Sequence, residues 1–188
     1  MEPSLKSIIP QLSEVFSISP AALYERQRAL VRAGLLKSKA GHGPGSGVKA
    51  NAYSIALLVI SLLATDSLSE VGERTKLFAG LKSRSGQCPL TGKTTFALAV
   101  AAVLDSPVLA RKVTHITVTR VGHKAEPRAR ALAHIYWLDD HIFLEDNQPY
   151  EEDLASQSAF GPKAAKTKEP QHIVVRASLI VPLWFKEP

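Results

Sequence analysis

Four polar side chains between residues 24 and 32 have the types and spacing that reading DNA requires. Tyr24, Glu25, Arg28 and Arg32 follow one another at intervals of one, three and four residues, so a helix through them presents all four on one side. Planar, acidic and cationic side chains of this kind hydrogen-bond to base edges in the major groove and to phosphates. The chemistry they predict is recognition of double-stranded DNA rather than catalysis.

A helix-turn-helix over residues 12–36 would position those side chains. A first helix is expected over residues 4–16, with an interruption or kink near Pro10. Ser19 has the hydroxyl of a typical N-cap and Pro20 suits the first helical position, so a second helix begins there. The inward side of the two helices and their turn is marked by Leu12, Phe16, Ile18, Leu23, Gln27 and Leu30.

A glycine-rich basic segment follows the second helix. Gly34 ends that helix in the left-handed conformation that glycine favours. Residues 37–51 then alternate glycine around Pro44, which excludes a helix and fits either the hairpin of a wing or a flexible linker. We expect the wing, built from very short strands. Its side chains placed to touch phosphate or the minor groove are Lys37, Lys39, His42 and Lys49.

Residues 12–49 resemble the winged helix-turn-helix regulators, as in bacterial and prophage repressors and activators. The resemblance rests on L-x-x-x-F-x-I-S-P-x-x-L over residues 12–23 and L-x-x-x-G-L-L over residues 30–36. Gln27 departs from the aliphatic residue usual at its position. The resemblance implies contacts with base edges and with phosphates. The base-contacting residues would be Ser19, Ala21, Tyr24, Glu25 and Arg28, and the phosphate-contacting residues Arg32, Lys37, Lys39 and Lys49.

The distribution of charge favours a polyanionic partner for the N-terminal part. The chain has 188 residues, of which 45% are hydrophobic and 21% charged, and a net charge of +6, so it is globular and basic. Residues 1–49 hold seven Lys or Arg against three Glu, whereas residues 139–153 hold seven Asp or Glu and no Lys or Arg. Nucleic acid is therefore expected at the N-terminal part and would be repelled from the acidic stretch.

Cysteine content and hydropathy favour the cytoplasm. Cys88 is the single cysteine, which excludes an intramolecular disulfide and fits a reducing compartment. The first ten residues lack the order of a signal peptide. The apolar stretch at residues 55–64 is too short for a bilayer, which takes about 20 residues. We expect no membrane partner.

The chain as a whole predicts an α+β fold in three parts. Residues 1–51 would form a winged helix-turn-helix DNA-binding domain, and residues 52–105 a helical core and dimerisation segment. Residues 106–188 would form a C-terminal domain rich in antiparallel β-strands.

Local signals set the elements expected after the N-terminal part. Helices are expected over residues 52–81, with a break where Ser67 and Glu70 form a capping box, and over residues 94–104. A long, partly mobile loop is expected over residues 146–171. Strands are expected over 113–121, 132–138, 141–145 (after a turn at Asp139 and Asp140) and 172–181.

A second motif, GQCPLTGKTT over residues 86–95, suggests nucleotide binding instead of DNA binding. A phosphate-binding loop has four residues between its glycines, whereas Gly86 and Gly92 are separated by five and Pro89 removes an amide donor. Nucleotide binding is therefore disfavoured. The alternative is an ordinary loop in which Thr91 caps the next helix. That helix would pack through Phe96, Leu98, Val100 and Leu104.

Histidine and acidic residues do not form a recognisable catalytic or metal site. Potential ligands lie close in sequence at His134, Asp139, Asp140 and His141. They lack the cysteine pair or the H-x-x-x-H spacing typical of zinc, so solvated or cross-strand histidines are favoured. The acids of residues 139–153 resemble a solvated rim, and no nucleophile signature surrounds Cys88. We expect no enzyme activity, metal or cofactor.

Together these patterns predict a sequence-specific transcriptional regulator that binds double-stranded DNA as a homodimer. One helix-turn-helix reads few base pairs, and a two-fold dimer on two half-sites overcomes this limit. Apolar residues 52–64 and 94–104 are candidates for the dimer core. Residues 106–188 could complete that core, bind an effector or contact another protein. The alternatives are a phage-type DNA-packaging or replication-initiation recognition subunit and a P-loop-like nucleotide-binding protein.

Overall fold

Helices form the first part of the molecule and an antiparallel sheet the last, so the predicted α+β class is confirmed. The computed structural model describes residues 3–41, 46–121, 131–137, 156–161 and 174–180. The helices are α1 (Leu5–Phe16), α2 (Pro20–Arg32), α3 (Ala52–Ala64), α4 (Val71–Ala79), α5 (Phe96–Asp105) and α6 (Pro107–Lys112), with a 3-10 turn at Leu68–Glu70. The strands are β1 (Ser38–Lys39), β2 (Gly47–Val48), β3 (Val113–Val121), β4 (Leu132–Trp137), β5 (Ser156–Phe160) and β6 (Val174–Ile180).

The turn between α1 and α2 is held by local hydrogen bonds. The Ser19 hydroxyl accepts from the Ala22 amide at 3.3 Å, which confirms the predicted N-cap with Pro20 in the first turn. The Ser13 hydroxyl donates to the Ile18 carbonyl at 2.6 Å. One departure from expectation is that α1 continues through Pro10 without interruption.

Gly34 ends α2 as predicted. Its φ is 70°, and its amide donates to the Val31 carbonyl at 2.9 Å. The Leu35 amide donates to the Leu30 carbonyl at 3.0 Å, so the two bonds make a Schellman motif. This motif turns the chain sharply away from α2 and into the hairpin.

Helix α3 is the centre of the core. It is apolar on almost every side and contacts α2, α4, α5 and the backbones of β3 and β6. Asn51 and Ser54 cap its start reciprocally, with the Ser54 amide 2.9 Å from Asn51 Oδ1 and the Asn51 amide 3.1 Å from Ser54 Oγ.

The capping box predicted at Ser67 and Glu70 is wrong. Ser67 makes no side-chain cap bond, and the Glu70 carboxylate instead accepts from the Thr65 hydroxyl at 3.3 Å and lies 3.5 Å from Arg74 Nε. Because Arg74, one turn later, and Thr65, at the end of α3, bind this carboxylate, it does not form the capping box with Ser67. The predicted break between the two helices is nevertheless present.

Most apolar side chains of residues 52–64, the candidate dimer core, are buried within the single subunit. Seven apolar side chains of α3 are buried in the single subunit: Ala56, Leu57, Leu58, Val59, Ile60, Leu63 and Ala64. Helix α5 is buried in the same core through Phe96 and Val100, but Leu98 is 42% exposed, against expectation. Its N-cap is Thr95 rather than Thr91. The many apolar residues of these two segments pack the helices against one another and against the sheet.

The C-terminal sheet has strand order β5-β4-β3-β6 and is antiparallel throughout. Alternate residues of β3 and β4 are buried against the helices: Ile116, Val118, Ala133, Ile135 and Trp137. The opposite face has half-buried polar and aromatic residues: His115, Thr117, Thr119, His134 and Tyr136. This alternation, with one face packed against helices, is typical of an antiparallel α+β sheet.

Residues 156–160, predicted as part of a loop, form the edge strand β5. The pattern SQSAF has one large apolar residue, Phe160, so alternation was too weak to detect, yet Phe160 is fully buried beside Phe96 with ring centroids 5.3 Å apart. Strand β4 pairs with β3 and β5, and the strand predicted over 141–145 lies outside the described residues.

The segment after α4 extends the sheet beyond β5. The Arg84 amide donates to the Ala159 carbonyl at 2.9 Å, and the Gly161 amide donates to the Lys82 carbonyl at 2.9 Å. These bonds protect part of the β5 edge and connect the helical and β-rich parts of the molecule. Among the helices of the described residues, none has the length and hydropathy of a membrane span.

Candidate nucleic-acid interface

Helix α2 presents one face to the core and the opposite face to solvent. Leu23 and Leu30 are fully buried, as predicted for the inward side. On the outward side Tyr24 and Glu25 are half-buried. The exposed members of the predicted site at this helix are Ser19, Ala21, Arg28 and Arg32. Helical geometry therefore brings the predicted base-contacting residues together on one surface.

An ion pair orders two of these side chains. Arg28 Nη1 lies 2.9 Å from Glu25 Oε1, one helical turn away, and the two side chains are 58% and 41% exposed. Such a pair contributes little to stability because water screens it. Its consequence is geometric, since the carboxylate holds the guanidinium fork near the helix while leaving most of it accessible.

Lys6 also belongs to this surface, although no sequence pattern predicts it. Its ammonium lies 5.5 Å from the centre of the Tyr24 ring, within the range of a cation–π contact. Lys6 is exposed on the first turn of α1. The contact depends on how α1 and α2 cross, so no spacing in the sequence relates residues 6 and 24.

The basic segment after α2 contains two short strands that pair with each other, as expected for a hairpin and not for a flexible linker. Strands β1 and β2 pair antiparallel through Ser38 with Val48 and Lys39 with Gly47. Val48 is buried and anchors the hairpin to the core. The exposed basic residues here are Lys37, Lys39 and Lys49, whereas His42 lies outside the described residues.

The hairpin is continuous with the start of α1. Lys49 makes an isolated antiparallel bridge to Ser4, and the Ala50 amide donates to the Pro3 carbonyl at 2.9 Å. Ser4 is the N-cap of α1 and stands two residues before Lys6, which in turn contacts Tyr24. The hairpin, the start of α1 and the outward face of α2 therefore form one connected surface with several lysine and arginine side chains.

Arg26, counted in the sequence among the basic charges of this region, does not belong to the surface. It is 8% exposed, and its Nη1 donates to the Ser61 carbonyl in the last turn of α3 at 2.8 Å. A cation at a helix C-terminus also interacts favourably with the helix dipole. Its burial could have been predicted from the spacing, because residue 26 lies on the inward side of the helix together with Leu23 and Leu30.

Gln27 lies on the inward side of α2 and is buried, as its spacing predicts. It is 7% exposed, and its Oε1 is one of the buried side-chain atoms in the described residues that have no hydrogen-bond partner. A buried acceptor without a donor is destabilising. An amide in place of the usual aliphatic side chain at this position therefore lowers the stability of the fold.

The loop before α5 uses its amides internally. The Cys88 amide donates to the Lys93 carbonyl and the Gly92 amide donates to the Cys88 carbonyl, both at 2.8 Å. A phosphate-binding loop directs such amides at its ligand instead. The geometry therefore agrees with the spacing argument against nucleotide binding at Gly92-Lys93-Thr94.

Two histidines of the sheet, His115 and His134, contact the ring of Tyr136. The rings of His115 and Tyr136 stack with centroids 4.2 Å apart, and His134 lies 5.7 Å from the same tyrosine ring. No group of three or more His, Cys, Asp or Glu within the described part of the chain could hold a metal ion. The other suggested ligands, Asp139, Asp140 and His141, lie outside those residues.

Comparisons with known proteins add no relative. A scan against protein-family models, a search of curated proteins and a search of solved structures each found no match. Function is therefore inferred from the geometry of α1, α2 and the hairpin.

Proposed function

We propose that this protein binds double-stranded DNA in a sequence-specific way and regulates transcription. The observation that carries the proposal is the connected basic surface formed by α2, the start of α1 and the β1–β2 hairpin. An exposed helix face with paired Glu25 and Arg28 suits the major groove, and a hairpin with three exposed lysines suits the adjacent backbone. This combination also fits the resemblance to winged helix-turn-helix regulators.

Each residue of the surface has a distinct role in the proposal. Arg28 donates two hydrogen bonds to a guanine, and Glu25 orients its fork or accepts from a cytosine amine. Tyr24, with Lys6 against its ring, contacts the neighbouring base or sugar. Ser19 and Ala21 approach base edges at the start of α2. The residues that contact phosphates or the minor groove are Arg32, Lys37, Lys39, His42 and Lys49.

The proposed active form is a cytoplasmic homodimer. A single α2 reads too few base pairs for selective binding, and two copies on a two-fold site double the sequence that is read. Most apolar side chains of α3 are buried within one subunit, so we place the dimer surface on other residues in this proposal. Catalysis and a cofactor have no part in the proposed role.

A gel-shift assay on genomic fragments tests the proposal. Arg28→Ala and Tyr24→Ala should each reduce binding to the preferred fragment by about tenfold or more, because a base contact is worth about 1–3 kcal/mol. Arg111→Ala is the matched control, since Arg111 is also exposed but lies on α6. Loss of binding in the control alone, or in none of the three variants, would reject the assignment.

The hairpin makes a different prediction. Changing Lys37 and Lys39 together to Ala should weaken binding to all sequences and lower the slope of log affinity against log salt by about 2. Selectivity between fragments should not change. Light scattering of the same samples tests the dimer, and a stable ring-like oligomer would favour a packaging or replication-initiation subunit instead.

A further inference from the structure

The two edges of the C-terminal sheet differ in what lies beyond them. At one edge the chain covers part of β5 through hydrogen bonds to residues 82–84. At the other edge β6 is the last strand in the order β5-β4-β3-β6, and its principal contacts among the described elements are with β3 and α3. Alternate residues of an antiparallel strand direct their backbone N–H and C=O groups away from the neighbouring strand. Within the described residues, no further strand pairs with these groups of β6.

Strand β6 lacks the features that keep a sheet edge from pairing with another chain. Protected edge strands are short, carry lysine or proline, or contain a bulge. Strand β6 spans seven residues, VVRASLI, with neither lysine nor proline, and it pairs with β3 over its whole length without a shift in register. A long, regular edge strand rich in apolar and β-branched residues favours the addition of another strand.

The sequence of β6 is complementary to itself in the antiparallel direction. Two copies that pair about a two-fold axis at Ala177 use every residue of the strand. The pairs between the copies are then Val174 with Ile180, Val175 with Leu179 and Arg176 with Ser178. Apolar residues meet apolar residues, and each arginine meets a serine instead of a second arginine. Because like charges directly opposite each other destabilise paired strands, this register suits self-association.

We infer that a second copy of this chain binds at β6, with the two β6 strands antiparallel about Ala177. The two four-stranded sheets then join into one continuous sheet. The paired strands supply about six to eight backbone hydrogen bonds, since alternate pairs exchange two bonds each. The same strand forms both sides of the contact, so the assembly closes as a dimer. This inference rests on the homodimer of the proposed function and names its surface, and it does not require DNA binding.

Charge substitution at Ser178 tests both the surface and the register. Ser178→Glu places a carboxylate opposite Arg176 of the partner subunit, twice in a two-fold contact, and should lower the dimer dissociation constant about fivefold. Ser178→Arg places arginines opposite each other at the same two points and should raise that constant by a similar factor. Sedimentation velocity over about a hundredfold range of protein concentration, without DNA, measures the constant for the unaltered chain and for each variant.

Two further variants separate the register from a general effect of charge. Arg176→Glu combined with Ser178→Arg again places opposite charges across the contact and should reverse the weakening caused by Ser178→Arg alone. Gln157→Arg adds a cation at an exposed position of β5, the opposite edge strand, and should leave the dissociation constant unchanged. A monomer at every concentration, or a constant that Ser178→Glu and Ser178→Arg do not shift in opposite directions, would overturn the inference. Because the mass is measured without DNA, that result leaves the contact of α2 with DNA to be judged by the gel-shift assay.

Discussion

Replacement of Arg26 by Met tests whether a buried cation ties α2 to the core. The guanidinium is 8% exposed and donates to the Ser61 carbonyl at 2.8 Å. Ser61 itself is fully buried, so no water can replace the donor without rearrangement. Methionine keeps much of the aliphatic stem of arginine while it removes the charge and every donor.

The expected loss of stability follows from these contacts. A hydrogen bond from a charged donor contributes about 1.5–3 kcal/mol, and a cation at a helix C-terminus adds about 0.3–1 kcal/mol. Removing the cation also relieves its desolvation, which offsets part of the sum. The free energy of unfolding should therefore fall by about 2 kcal/mol, which lowers Tm by about 4–8 °C for a chain of this size.

Urea unfolding followed by circular dichroism measures the change, with Arg32→Met as the matched control. Arg32 lies on the same helix and is exposed, so its loss should alter stability by less than about 0.5 kcal/mol. The two variants remove the same charge from the same helix and differ only in burial. Equal stability of Arg26→Met and Arg32→Met would refute the structural role of Arg26.

Three further substitutions test the conformation of the turn and the core beneath α2. Ser17 adopts φ 52° at the end of α1, so Ser17→Gly should raise the free energy of unfolding by about 0.5–1 kcal/mol, and an unchanged urea midpoint would contradict this. Gly34→Ala should lower it by about 1 kcal/mol, since φ is 70° there although space for the methyl group is open; a neutral result would reject the left-handed cap. Gln27→Met should stabilise by about 1 kcal/mol in calorimetry because Oε1 has no partner, whereas a lower Tm would show that the amide is satisfied.

Elements with strong local signals were predictable from the sequence. The Ser19-Pro20 start, the Gly34 end and the inward positions of Leu23 and Leu30 depend on bonds and spacing within a few residues, and the structure confirms them. The pairing of β1 with β2 was predictable for the same reason, because the glycine spacing that excludes a helix there is a local property. The fold class followed from the order of helical and alternating segments.

Features that depend on contacts distant in sequence were not predictable. The bond from Arg26 to Ser61 and the contact of Lys6 with Tyr24 join residues that only the packed fold brings together. Strand β5 is held in place by pairing with β4 rather than by its own composition. The burial of α3 within one subunit was not predictable either, because the sequence does not reveal how many elements surround one helix.

Selection from a pool of random double-stranded DNA tests the central claim most directly. The unaltered protein should enrich one short motif that contains a guanine, in two copies if it binds as a dimer, and Arg28→Ala should lose the preference for that guanine while keeping the flanking positions. A motif that is unchanged by Arg28→Ala, or no enrichment from the pool at all, would contradict the proposal that α2 reads DNA.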